Sequence, residues 1–414
     1  MRRNLHLSLW DAFFFSIMVG AGESFLPAFA IHIGFSDTLT GLFSTVPLAA
    51  GAIVQLLTPW GLRRVGSVRR WVVAATAVQA TALLPLVFWE GLGLKSAFAL
   101  FAIAAIYWGA GYAAGPVWNR WMADLVPQNV SASFFAKRLS ISQYGVLLGL
   151  LVSGAALQYG LNLGIFTSAF SLIFLVAFAS RAGSSFLLSM KEDSGTEVLR
   201  QKALPAVLKS VMGRGYERAL LVFLFLFGAS IFISSPFVNP FLLKQLAMSN
   251  SVYTFCLIAL FLGKIVGYSL THRYLGGIAT ERTLILGALG ISPMPALWMF
   301  CTGGFSAGAL QFTSGLCWGV YESALTLILF RRVSSESKVA LLTIINFVQC
   351  AAILLGSLVG GSILKAFGEN FQAYVVVFGW SSLLRVLVCV LFSMFWIGWP
   401  LRLPSRDLQL LNDK

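Results

Sequence analysis

Long apolar blocks constrain this chain more than any other feature of its sequence. Residues 96–118 read SAFALFAIAAIYWGAGYAAGPVW, and residues 374–399 are similarly apolar. Each exceeds the roughly 18–20 residues that cross a hydrocarbon core as a helix. Only 11% of the 414 residues are charged and 58% are apolar, against about 25% and 45–50% in an average soluble domain. So few charges cannot cover the surface of a soluble protein of this size. The expectation is an all-α, multi-pass integral membrane protein. The formal net charge of +14 invites a nucleic-acid reading, but basic residues at the cytoplasmic ends of spans explain it better. No nucleic-acid partner is expected; the lipid bilayer is.

Divided at charged and Gly/Pro-rich breaks, the chain yields twelve spans: 7–32, 38–60, 71–92, 96–119, 140–160, 163–188, 219–243, 250–271, 282–301, 305–330, 339–364 and 373–399. On this division 24 of the 29 basic residues, Arg181 among them, fall on the side of the N-terminus. Lys95, Lys244 and Lys365 fall on the other side, and Lys264 and Arg385 within spans. The positive-inside rule then puts both termini in the cytoplasm. Arg2-Arg3, an apolar stretch and Ala28-Phe29-Ala30 imitate a cleavable signal peptide. Retention is expected, because cleavage would leave eleven spans and unbalance the two halves described next. The five cysteines form no C-x-x-C and read as small packing residues, with no metal site or disulfide framework implied.

The one long polar stretch, 189–217, divides the chain into 1–188, with six spans, and 218–414, with six spans and a short tail. The halves repeat each other. IYWGAGYAA at 106–114 matches LCWGVYESA at 316–324, and GLLVSGAAL at 149–157 matches GSLVGGSIL at 356–364. Gly20 with Gly228 and Pro27 with Pro236 are weaker matches at a similar spacing.

Two pseudo-symmetric six-helix bundles, a cytoplasmic linker and cytoplasmic termini resemble the major facilitator superfamily. Its loop motif after span two is partly kept in PWGLRRVGSVRR: Arg64 and Gly66 fit, whereas Arg63 replaces an acid and Pro59 a glycine. Asp124 and Pro127 fit a second family pattern after span four. The resemblance therefore implies a gating contact built from Asp124 with Arg120 or Arg64. GVLLGLLVSG in span five approaches the family's antiporter signature through Gly145, Gly149 and Gly154. Small residues also let helices approach closely in lipid, so these glycines read first as packing.

Ionisable residues inside spans mark function by default, because each costs about 2.5–3.5 kcal/mol at the bilayer centre on insertion scales. Four are singled out there, Glu23, Lys264, Glu322 and Arg385, with Asp11 near the cytoplasmic mouth of span one. The resemblance implies that spans one, four, seven and ten line a central cavity, which assigns Glu23 and Glu322 to it. Both are proton-coupling candidates, since desolvation raises a carboxylate's pKa; the bland alternative is a salt bridge, with Lys264 as the partner of Glu322. Arg385, in a span peripheral in the family, reads as structural. Trp318 and Glu322 share a helix face at i, i+4, and the repeat sets Trp108 and Tyr112 opposite them. Further cavity candidates are Tyr321, Gln143, Ser230, Ser234, Asn239, Asn346, Gln349 and Lys264 itself.

The expected function is secondary transport by alternating access of a small organic, amphipathic solute, as proton-coupled antiport for export. Symport of a sugar-like or peptide-like solute and lipid flipping are the alternatives. A membrane-embedded enzyme or receptor is a different class that no H-E-x-x-H or other catalytic pairing in the spans supports. The expectation includes no cofactor, a monomer, and a bacterial inner membrane as location.

Overall fold

The computed structural model describes residues 2–126, 128–160, 168–193, 204–274, 279–332 and 338–397. The described residues are helical throughout, with no strand among them. In lipid this follows from backbone chemistry, because a helix satisfies its own N–H and C=O groups where water is absent. The long helical segments are α1 (Arg2–His32), α2 (Asp37–Leu56), α3 (Val68–Val87), α4 (Ala97–Leu125), α5 (Gln128–Tyr159) and α6 (Ala169–Ser189). After the polar stretch come α7 (Gly215–Gln245), α8 (Asn250–Tyr274), α9 (Thr280–Phe300), α10 (Gly304–Arg332), α11 (Lys338–Ala366) and α12 (Phe371–Ile397). Eleven of them hold a stretch long and apolar enough to cross a membrane. The other, α10, is a 29-residue helix carrying Gln311, Thr313 and Glu322. Short helices at Thr58–Val65 and Leu204–Gly213 complete the described chain.

Several spans are broken rather than straight. The helix of α1 stops at Ala21, passes through a 3-10 turn at Glu23–Phe25 and resumes at Leu26 with Pro27 in its first turn. The helix of α7 stops at Phe232 and continues through a 3-10 turn at Ser235–Phe237 around Pro236. Helices α3 and α9 are interrupted before Pro85 and Pro295. Proline removes an N–H and crowds the preceding turn, so each break lies where the sequence puts one.

Within 2–189, α1 packs on α5 and α6, and α4 on α2 and α3; within 215–397, α8 packs on α10, α7 on α11 and α12, and α9 on α10 and α12. Contacts between these two sets run from α8 to α5 and from α11 to α2. Glycines make the tightest of these approaches. Gly145 and Gly149 abut the backbone of α1 at Phe13 and Ile17, and Gly154 abuts Thr254 of α8. Packing accounts for all three glycines that resemble an antiporter signature. In α8 and α10, Gly263 meets Phe312, and Gly315 meets Leu260, backbone against backbone.

The packing corrects one detail of the repeat. Gly149 rests on Ile17 and Gly20, whereas its counterpart Gly356 rests on Ala229 and Phe232. The structural partner of Gly20 is therefore Phe232, one turn beyond the Gly228 suggested by sequence.

A side chain at Gly315 would collide with the Leu260 carbonyl, while one at Gly379 meets open space. We expect Gly315→Ala to destabilise the protein by about 1–3 kcal/mol, as overpacking does. Gly379→Ala should be neutral or stabilising by up to about 1 kcal/mol. Thermal unfolding of the detergent-purified variants reads both, and equal melting temperatures would contradict the packing described.

Candidate functional site

The break in α1 puts Glu23 at the first residue of a 3-10 turn, with its side chain half-buried. Its carboxylate accepts a hydrogen bond of 2.5 Å from the Tyr107 hydroxyl on α4. Among the described residues no basic side chain lies within ion-pair distance of it. A counter-charge stands farther off. Arg181 on α6 acts electrostatically on Glu23 and donates from Nε to Gln79 Oε1 at 2.8 Å. The sequence division counts Arg181 with the cytoplasmic residues; it lies inside α6 and is 5% exposed. Its position near the end of the span misleads that count.

Glu322 on α10 has two direct partners, both from α8. Lys264 Nζ donates at 2.8 Å and the Tyr268 hydroxyl at 2.5 Å. Lys264 and Tyr268 are four residues apart, which puts them on one face toward α10. The Lys264 ammonium also lies 5.9 Å from the Trp318 ring centre, within cation–π range. The two carboxylates thus differ in kind: Glu322 is ion-paired, and Glu23 is held by a hydroxyl.

The aromatic candidates divide. Trp108, Tyr112 and Trp318 are half-buried; Trp108 packs on Tyr107 and Tyr112, and the Tyr112 hydroxyl meets Cys350 Sγ of α11 at 3.7 Å. Gln143, Asn346 and Gln349 are likewise half-buried, and Asn239 accepts a hydrogen bond of 3.3 Å from Tyr253. Three candidates fall in packed interior instead. Tyr321 lies against Phe227 and Trp318. Ser230 bonds back to Phe227 O, as buried serines in helices do, and fully enclosed Ser234 meets Ser381 and Arg385. Arg385 caps two broken helices: its guanidinium donates to Ile231 O at 3.0 Å and Ile291 O at 3.2 Å, near or at their last turns. A cation is favoured at a helix C-terminus, which offsets this burial without a carboxylate.

The gating contact expected of Asp124 lies outside the described residues, which do not include its side chain. Arg64 is exposed and lies over the Trp60 ring at 4.2 Å, and Arg120 is half-buried. A polar cluster ties the two sets of helices at the opposite end, around Asp37. Lys244 Nζ lies 3.0 Å from Asp37 Oδ1, Tyr374 donates to Asp37 Oδ2 at 2.8 Å, and Gln245 donates there at 3.1 Å. Asp37 and Thr38 in turn donate their backbone N–H groups to Glu369 at 3.0 and 3.3 Å. Sequence reading misses this cluster because its members are separated by as many as 337 residues and sit at span ends, where charges are ordinary.

At the base-rich end, Asp11 is enclosed by Ser184, by Lys191 at 3.5 Å and by Arg138 at 3.8 Å. Burial pushes the Lys191 ammonium down to about 8, with Asp11 opposing that shift and Arg138 adding to it. No group of metal-binding side chains occurs among the described residues.

These broken helices packed around embedded charges make a multi-pass membrane protein. The model of the Major Facilitator Superfamily matches residues 9–357, and the chain belongs to that family. Among solved structures it is similar to the xylose transporter XylE of E. coli in a partially occluded inward-open conformation (TM-score 0.70, 15% identity, covering 96% of this chain and 97% of that one). It is also similar to a variant of the nucleoside transporter NupG (TM-score 0.68, 14% identity, 93% and 100% covered). A bacterial homologue of the human lysosomal transporter Spinster, inward-facing and occupied, is a third (TM-score 0.66, 14% identity, 95% of each chain). No curated protein matches the chain significantly.

The Asp37 cluster includes one carboxyl, Glu369, whose ionised form its neighbours favour. Burial works against ionisation of Glu369, but donors from Thr38, Asp37 and Ser36 outweigh it and hold its carboxyl below 4.5. A depressed carboxyl stabilises the tied arrangement above its ordinary pKa, and that contribution is lost as pH falls through the depressed value. We therefore expect this end to open more readily as pH drops below about 4.5, and Glu369→Gln to remove the dependence. Labelling of a cysteine introduced at Ser36 reports opening; identical acid responses in the parent and the Glu369→Gln variant would refute it.

Proposed function

We propose that the protein is a proton-coupled secondary transporter working by alternating access, with Glu23 as its proton site. The observation that carries this reading is the contrast between the two embedded carboxylates. Glu322 is ion-paired with Lys264 at 2.8 Å, so its charge has a direct counter-ion. Glu23 has a hydroxyl for its close partner, and a proton would remove much of its burial cost.

In this reading residues 1–188 and 218–414 form two six-helix bundles joined by a cytoplasmic linker, 189–217, with both termini cytoplasmic. Lys and Arg concentrate on that side under the twelve-span division. The Asp37 cluster then closes the outer mouth, and the arrangement is inward-facing, as are the similar XylE and Spinster-homologue structures. Glu322 with Lys264 and Trp318 serves as a fixed polar wall for an organic solute, and Trp108 as a stacking surface near Glu23. A lone carboxylate that holds either a proton or a substrate cation gives exchange of one for the other, which is antiport. A second reading, symport of a sugar-like or nucleoside-like solute, is favoured by the aromatic surfaces and by the similarity to a D-xylose-proton symporter.

The test is flux in proteoliposomes carrying a pH-sensitive dye, challenged with organic cations, sugars and nucleosides. Proton movement against the solute supports antiport, and movement with it supports symport. Glu23→Gln should cut pH-driven flux at least tenfold while melting near the parent temperature. Parent-like, pH-dependent flux in that variant would rule Glu23 out as the proton site.

A further inference from the structure

A continuous line of buried polar side chains leaves Glu23 and runs through the N-terminal helices to Asp11. Tyr107, Gln79, Arg181, Ser184 and Asp11 are each at most 5% exposed, and they come from α4, α3, α6, α6 and α1. The Tyr107 hydroxyl bonds Glu23 at 2.5 Å and also meets the Gln79 amide. Gln79 Oε1 accepts from Arg181 Nε at 2.8 Å; Arg181 Nη1 donates to Ser184 Oγ at 2.9 Å, and Ser184 donates to Asp11 Oδ1 at 2.8 Å. One guanidinium therefore stands between two carboxylates at opposite ends of the line, tied to each through neutral relays.

We propose that Arg181 is a positioning residue that sets the proton occupancy of Glu23, sharing its charge between Glu23 and Asp11. The inference rests on the reading of Glu23 as the proton site and adds what tunes it. A guanidinium cannot give up its proton in a protein, so Arg181 acts as a fixed charge whose hold on Glu23 depends on how strongly Asp11 competes for it. Other groups facing Glu23 and its surroundings are Tyr107 and, farther off, Tyr112, with Tyr253 bonding the neighbouring Ser24 carbonyl. At the far end Asp11 is faced by Lys191 and Arg138. The Phe15 ring under Arg181, 4.8 Å from its guanidinium carbon, fixes the group in place. The alternative role is cement: an arginine that merely binds α3 to α6.

Under the proposal, loss of Arg181 and loss of Asp11 act on Glu23 with opposite signs, whereas a merely structural arginine gives no such pair of shifts. Removing the cation takes an attractive charge from Glu23, and removing Asp11 releases that charge toward it. Infrared difference spectra of the purified, substrate-free protein, titrated from about pH 4 to 10, report the protonated Glu23 carboxyl, with Glu23→Gln identifying its band. Arg181→Gln should raise the Glu23 midpoint by about one pH unit or more, a tenfold gain in proton affinity. Asp11→Asn should lower it, and Arg181→Lys, which keeps the charge, should stay near the parent if the variant folds. Midpoints unchanged in Arg181→Gln and Asp11→Asn, or shifted the same way in both, overturn the proposal while leaving Glu23 as proton site intact. A Glu23 band that never titrates contradicts the proton-site reading and this inference with it. Melting temperatures separate loss of packing from a shift in charge.

Discussion

Hydrocarbon offers no water to a polar group, and that absence organises the molecule. Backbone groups are satisfied within helices, and each embedded charge has found its own form of compensation. Lys264 and Glu322 neutralise each other across α8 and α10. Arg385 uses the carbonyl ends of two broken helices in place of a carboxylate. Arg181 is divided between Asp11 and Glu23 through serine, glutamine and tyrosine relays. Glu23 alone among these depends on a hydroxyl at close range and a cation at a distance, and on the proposed reading its protonation state is the free variable of the system.

The breaks in the helices serve the same end. A straight α1 would satisfy its backbone throughout; the turn after Gly22 frees local groups and delivers Glu23 toward Tyr107. Tyr253 reaches the Ser24 carbonyl from α8, so the break is also a point where the two sets of helices touch. A change at Glu23 is thereby placed next to the contact between them. The Asp37 cluster begins at the start of the next helix, α2, five residues past the end of α1 at His32. The carboxylate and the break lie on α1, and a short connection joins them to the cluster.

Much of this is legible in the sequence. Apolar length marks the helices, and their ends fall within a few residues of expectation for most spans: the block 71–92 corresponds to Val68–Val87, and 339–364 to Lys338–Ala366. The Lys264–Glu322 pair is foreseeable because few in-span charges compete as partners. What stays hidden depends on contacts between distant segments. Tyr107 sits beside Trp108, yet helical rotation turns Tyr107 to Glu23 and leaves Trp108 half-exposed, a difference that no local pattern marks. Ser230, Ser234 and Tyr321 mislead because small and aromatic polar residues serve cores as readily as cavities. Arg181 misleads because a basic residue near a span end ordinarily snorkels to the surface, whereas here the Gln79, Ser184 and Phe15 side chains hold it inside.

The central claim is that protonation of Glu23 shifts the balance between closure at the Asp37 end and closure at the base-rich end. Spin-label distances measure that balance directly, with one pair at Lys95 and Ser251 and another at Val65 and Arg218. On passing from alkaline to acid conditions through the Glu23 titration, the two distance distributions should change in opposite senses, one mouth closing as the other opens. In Glu23→Gln, fixed in the neutral form, both pairs should hold the acid-side distances at every pH above the range where Glu369 responds. Distances that do not respond to pH, or that widen together, would contradict the account.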